Sequence, residues 1–298
     1  MFVGALAAPL FQFLVGVGIS FSATKSRQFN QRNLKTVLRL AQRGFMLILG
    51  GYLFNLVVFY MGDNPQDLLA VDILQIIGLS ILLSIPFIWL PAPVVISASI
   101  LLIIVAQTAN TWALPSWLDP IVTGQSGIGY FPLALWLPYV YLGLAFGKVY
   151  PTWQKPGKSF LVLIGIGLTC LLFIPLMDPA WGYRHPRPIF IVFSCIFIAC
   201  LVTITWYWTE RGEHRDIVSR SLHNMGRASL MLYVFHHLFG YRLFYHLGWV
   251  AGRSWRGEFG VFTHYQATIL LLGLVMLMLA ASSWWLLKPP RSIFNRYF

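Results

Sequence analysis

From Phe2 to Thr24 the chain carries no charged residue, and apolar runs of this kind return along its whole length. A helix rises about 1.5 Å per residue and a bilayer core is about 30 Å thick, so about 20 apolar residues suffice to span it. Backbone in lipid must satisfy its own hydrogen bonds, which leaves helices or closed barrels, and runs of this length predict helices. Apolar stretches between polar breaks place nine of them over 2–22, 40–60, 69–90, 93–111, 131–149, 159–177, 188–208, 226–248 and 264–287. Only 10% of the residues are charged, where a soluble domain has about 25%. The expected fold is therefore all-α, a single polytopic transmembrane helix bundle over 1–298. Interior prolines such as Pro9, Pro86, Pro138 and Pro175 are tolerable in such helices as kinks. Gly143 and Gly147 form a small-xxx-small pair suited to close helix packing.

The net charge of +12 raises the question of nucleic acid. The placement of the charges excludes it: they gather in a few short connections, as the positive-inside rule predicts. Of 21 Lys and Arg, 16 fall in the connections after spans 1, 5 and 7 and in the C-terminal tail. That side is expected to be cytoplasmic, with the C-terminus on it and the N-terminus outside. The parity depends on a hairpin at Pro91-Ala92-Pro93. A secretory signal carries its positive charges first, and here they follow the first run, so Met1 does not open one. Two readings of this beginning stay open: a short terminus outside the cell, or a helix that normally precedes Met1. Cys170, Cys195 and Cys200 lie in apolar runs, where packing explains them.

Three groups of residues carry candidate chemistry. In the first connection Arg32, Lys35, Arg39 and Arg43 recur at spacings of three and four, on one helical face. They suit lipid phosphates, or a polyanionic cytosolic ligand that Arg binds bidentately. Asp72 and Gln75 share a face about one turn inside span 3, with Asn55, Gln107 and Asn110 at similar depth in spans 2 and 4. These form either a structural hydrogen-bonded network or a polar cavity opening outward. The third group is "LYVFHHLFGY" at 232–241. His236 lies near mid-membrane, three residues from Tyr233 and on its face; His237 is expected to point elsewhere, toward Tyr241. Arg242 and His246 follow on the outer half. Histidine is the natural proton carrier near neutral pH. No HExxH, Cys-x-x-Cys or i, i+4 His pair is present, so no metal site is expected.

Four stretches resemble one family, the bacterial relatives of heparan-α-glucosaminide N-acetyltransferase. "APLFQFLVGVGISFS" is similar to its P-x-F-x-F-L-V-G-V helix, and "VDILQIIGLSILLS" to its I-L-Q-x-I-G-x-S helix. "YFPLALWLPYVYLGLAFGK" resembles its F-P-L-x-x-W helix, and "GRASLMLYVFHHLF" its G-x-x-S-L-x-x-Y-x-x-H helix. The resemblance implies an integral membrane acyltransferase of the bacterial inner membrane. It would pass acetyl from cytosolic acetyl-CoA to an amine or hydroxyl of a sugar-like acceptor on the outer side. By the same carry-over Arg27, Arg32, Lys35, Arg39 and Arg43 would hold the CoA phosphates and His236 would be catalytic. Asn55, Asp72, Gln75, His237 and Arg242 would line the acceptor site. The family pattern begins with a further helix bearing an Arg-Gly pair, with a histidine tied to acetyl transfer near its end, and this chain starts after it. The resemblance thus leaves an alternative, a non-catalytic integral subunit of a larger membrane protein complex.

Overall fold

The fold comes from a computed structural model, which describes residues 2–28, 33–59, 68–106, 108, 112–124, 131–150, 188–211, 226, 229–238, 273, 276–278 and 280. Every regular element of these residues is helical. The helices are α1 (Phe2–Gln28), α2 (Asn33–Phe54), α3 (Ile73–Ser84), α4 (Ala92–Ala106), α5 (Asp119–Val122), α6 (Leu133–Val149), α7 (Pro188–Arg211) and α8 (Ser229–His237). A π-helical segment, Asn55–Phe59, ends α2, and a 3-10 turn, Ile85–Phe87, ends α3. The chain forms two compact units, Met1–Asn55 with Asn64–Trp208 and Leu56–Asp63 with Thr209–Phe298. The span expected over 159–177 lies outside the described residues, as does most of 264–287.

Helix boundaries differ from the sequence expectation in two places. The basic stretch after the first run belongs to helices: α1 continues to Gln28 and α2 begins at Asn33. Thr36, Leu40 and Gly44 recur every fourth residue and are buried, so the start of α2 packs although it is charged. Asp72 is not a turn inside α3 but its N-cap.

Helix directions in the first unit follow from paired residues. A side chain on Gly143 would overlap the Phe13 carbonyl, one on Gly16 the backbone between Val140 and Leu144, and one on Gly147 would meet Ser20, while Phe13 and Phe21 ring-pair with Phe146 and Tyr150. The numbers rise together, so α1 and α6 run parallel with their backbones in contact, the use of small residues expected of Gly143 and Gly147. Gly51 faces Gln75 while Gly44 faces Gly78 and Leu82, so α2 and α3 are antiparallel. Leu83 O accepts from Tyr141 Oη and Phe87 O from Lys148 Nζ, which sets α3 along α6. Ser99 Oγ donates to Pro138 O while Leu90 O accepts from Lys148, which sets α4 against α6. The chain therefore reverses between Ile88 and Pro91, where the sequence placed a hairpin. The Tyr139–Ser194 hydroxyl pair at 2.7 Å ties α7 to α6.

Apolar residues lie on the outside of this unit as well as in its core. Leu34, Leu38, Phe45, Leu49 and Leu53 form an exposed stripe along α2, and Ile100, Leu101 and Ile104 are exposed on α4. Gln12, Asn55, Ser80, Ser99 and Ser194 are each 0% exposed. By length and composition the helix Asn33–Val57 can cross a membrane. Ile73–Phe87, Ala92–Ala106 and Leu133–Val149 are apolar and shorter.

Candidate functional site

The structure joins Asn55, Asp72 and Gln75 at the meeting of α2 and α3. Asn55 Nδ2 donates to Leu68 O at 3.3 Å and to Ala70 O at 2.6 Å. Gln75 Nε2 donates to the same Ala70 carbonyl at 3.4 Å, and Gln75 Oε1 accepts the Asp72 backbone N–H at 3.2 Å. The latter bond is one arm of a capping box at the start of α3. Carbonyls only accept, so these partners fix both amide orientations without ambiguity. Asn55 Oδ1 consequently turns away, buried and without a hydrogen-bond partner among the described residues. Gly51 leaves the space that the Gln75 amide fills. The π turn falls at Asn55, a distortion that recurs at functional sites. Three of the five expected polar residues are thus brought together, with most of their capacity engaged in holding residues 68–72 against α2.

The cations lie toward the other end of α2. Lys35 is exposed, Arg39 and Arg43 are half-buried, and Lys25 on α1 is exposed. Arg43 Nε is buried with no hydrogen-bond partner among the described residues. Twelve residues separate Arg43 from Asn55, about 18 Å of helical rise. Arg32 lies outside the described residues, and for Arg27 only the place in α1 is described. Lys148, expected as one more positive charge of a connection, is a clasp. Its Nζ donates to Phe87 O at 2.8 Å, which also accepts the Leu90 N–H, and to Leu90 O, capping the end of the reversal.

In the second unit, α8 carries the paired histidines. His237, expected to face away from Tyr233, packs against it: the ring centroids are 4.5 Å apart, and His237 Nδ1 donates to Tyr233 O at 3.1 Å. The reason is helical geometry. A fourth residue lies about 40° around the helix, nearer than the third at about 60°. The bond places the proton of a neutral His237 ring on Nδ1. For His236 the place in α8 is described and the side chain is not; Arg242, Gln107 and Asn110 lie outside the described residues.

Sequence reasoning passed over Gln12 and Trp136, both 0% exposed. Neither polar atom of Gln12 has a hydrogen-bond partner among the described residues, and neither has Trp136 Nε1. Gln12 could have been found as the one amide inside the first apolar run.

Neither a search of curated proteins nor one of solved structures finds a match. A comparison with protein families finds one, over residues 1–173: heparan-alpha-glucosaminide N-acetyltransferase, catalytic. The matched segment holds three of the four stretches that carry the resemblance and stops before "GRASLMLYVFHHLF". The family comprises membrane-embedded acetyltransferases that use acetyl-CoA-type donors. With the matched segment covering more than half of its length, the chain belongs to the heparan-alpha-glucosaminide N-acetyltransferase catalytic family.

Proposed function

We propose that this protein is a multi-pass acyltransferase of the bacterial inner membrane. It takes acetyl from cytosolic acetyl-CoA and delivers it to an amine or hydroxyl of a sugar-like acceptor on the outer side. The observation that carries the reading is the polarity along α2: Lys35, Arg39 and Arg43 lie toward one end, Asn55 with Gln75 and Asp72 at the other, and an exposed apolar stripe runs between. In this reading the apolar stripe faces lipid and the basic end faces the cytosol, as the distribution of Lys and Arg supports.

The division of labour follows from the chemistry. The donor is polyanionic at its nucleotide end, so Arg27, Arg32, Lys35, Arg39 and Arg43 hold its phosphates. Asn55, Asp72, Gln75, His237 and Arg242 line the acceptor site. His236 takes the proton from the amine or hydroxyl as its N or O bonds to the acetyl carbon, the C–S bond breaks, and the leaving thiolate of CoA takes that proton from His236. General-base help of this kind contributes about 10²–10⁴ in rate. No metal takes part in this scheme.

The test is transfer of labelled acetyl from acetyl-CoA to an amino sugar by the purified full chain. His236→Gln is expected to lower kcat at least about 100-fold, with the donor KM unchanged. Transfer by wild type that His236→Gln leaves intact removes His236 from the mechanism; no transfer at all removes the enzyme reading. A second reading rests on the matched segment, which ends at residue 173 and so stops short of His236. On that reading the chain is a non-catalytic integral subunit of a larger membrane complex, and it copurifies with other membrane proteins in stoichiometric amounts.

A further inference from the structure

The connection after α4 departs from what water asks of a surface loop, which is normally polar. Between Asp72 and Lys148 the sequence holds one charged residue, Asp119. That residue is buried, and its Oδ1 accepts the Thr123 hydroxyl. Residues 112–118 themselves carry no charge. Trp117 is nevertheless 72% exposed, Ala113 and Pro115 are exposed, and Trp112, Leu114 and Leu118 are partly so.

The segment closes much of its own hydrogen bonding. Leu114 N–H donates to Trp112 O at 3.1 Å, and Pro115 O accepts from Leu118 and Asp119 at 2.9 and 3.0 Å. Asp119 O accepts from Thr123 and Gly124 at 3.0 and 2.8 Å. Trp112 Nε1 donates to Thr108 Oγ1 at 3.0 Å. Polar groups engaged in this way leave bulk water at little cost. The place of the segment agrees with this. The 15 residues of α4 give about 22 Å of rise, against a hydrocarbon core of about 30 Å. The helix begins at the reversal that Lys148 clasps, so its far end stops short of the opposite boundary. Ile100, Leu101, Ile104 and Val105 are exposed along that far half of α4, and residues 112–118 follow it in the chain.

We infer that residues 112–118 anchor in a phospholipid bilayer at headgroup depth, at the boundary opposite Lys148, with the Trp117 indole as the inserted side chain. Tryptophan suits that depth because its ring is apolar while its N–H needs a polar partner. A protein partner fits less well. Protein interfaces are ringed by polar side chains, and no charged residue occurs from Ile73 to Leu118. The inference rests on the membrane-embedded nature of the family and not on acetyl transfer.

The experiment uses the full chain in phosphatidylcholine nanodiscs, with its tryptophans replaced by 5-fluorotryptophan and read by fluorine NMR. Trp117→Phe and Trp117→Tyr each remove the same resonance, so the assignment survives if one of them folds poorly. Three paramagnetic agents are then compared: lipid with a nitroxide near the headgroup, lipid with a nitroxide at the chain end, and a water-soluble gadolinium chelate. The Trp117 resonance is expected to be lost with the first and to persist with the other two. Loss with the chelate alone means that the loop stands in water, and it overturns the inference. Loss with the chain-end nitroxide alone puts the indole in the hydrocarbon core and overturns the depth assigned to it. Persistence with all three means that protein covers the indole, a second copy or another chain, and this too overturns the inference. Acetyl transfer is read in a separate assay, so a folded chain that transfers nothing leaves the anchor standing.

Discussion

Two helix pairs of the first unit meet through glycine, and they differ in how much of their buried polar capacity is hydrogen-bonded. At α1 and α6 the backbones touch: side chains on Gly16 and Gly143 would overlap carbonyl oxygens, which cannot move without parting the helices. Beside that contact Gln12 and Trp136 are buried without partners among the described residues. At α2 and α3 Gly44 and Gly78 likewise meet through their backbone carbonyls, but Gly51 makes room for a side chain. Gly51 admits the Gln75 amide, and three hydrogen bonds from Asn55 and Gln75 converge on Leu68 and Ala70. Burial of a polar residue in an apolar bundle thus has two meanings. A satisfied group holds the chain in register; an unsatisfied one costs stability.

Mutations separate the two cases, in decreasing order of effect. Gly143→Ala should be the most damaging. It forces α1 from α6 at a cost of about 3 kcal/mol or more, seen as loss of the folded species on size exclusion. Asn55→Asp should come next, because it turns a carboxylate oxygen toward the Leu68 and Ala70 carbonyls. It should destabilise more than Asn55→Ala, itself about 2 kcal/mol from unsatisfied buried carbonyls, in thermal unfolding. Gly51→Ala should cost less, about 1 kcal/mol, since the atom it meets is the end of a flexible amide. Lys148→Met should cost about 1 kcal/mol or less through the carbonyls it uncaps. Ser80→Ala should be neutral or stabilising, within about 0.5 kcal/mol, because it removes a buried polar group that has no partner among the described residues. A Ser80→Ala variant as unstable as Asn55→Ala would erase the distinction between satisfied and unsatisfied buried groups.

The sequence displayed one side of this contrast more plainly than the other. The apolar runs announce helices, and Gly143 with Gly147 announces a close contact. The Asp72–Gln75 spacing, which also fits a capping box, reads equally as two residues on one face inside a helix. Only the start of α3 at Ile73 decides between the two. Lys148 looked like surface charge because its partners are backbone carbonyls about 60 residues away, on which composition is silent. Gln12 and Trp136 were hidden for the opposite reason. Whether a polar residue in an apolar run has a partner depends on packing between helices, and no local pattern encodes it. The pairing of His237 with Tyr233 was readable from the four-residue spacing alone; the three-residue alternative drew attention to His236.

The central claim is that acetyl crosses from a cytosolic donor to an acceptor on the other face. It is tested most directly in sealed vesicles holding the full chain in one orientation, with labelled acetyl-CoA outside at the basic face and an amino sugar trapped inside. Labelled, acetylated sugar is expected in the lumen and free CoA outside, with no acetyl-CoA inside. Acetylation only of sugar added on the donor side, or none on either side while the protein remains folded, would contradict it.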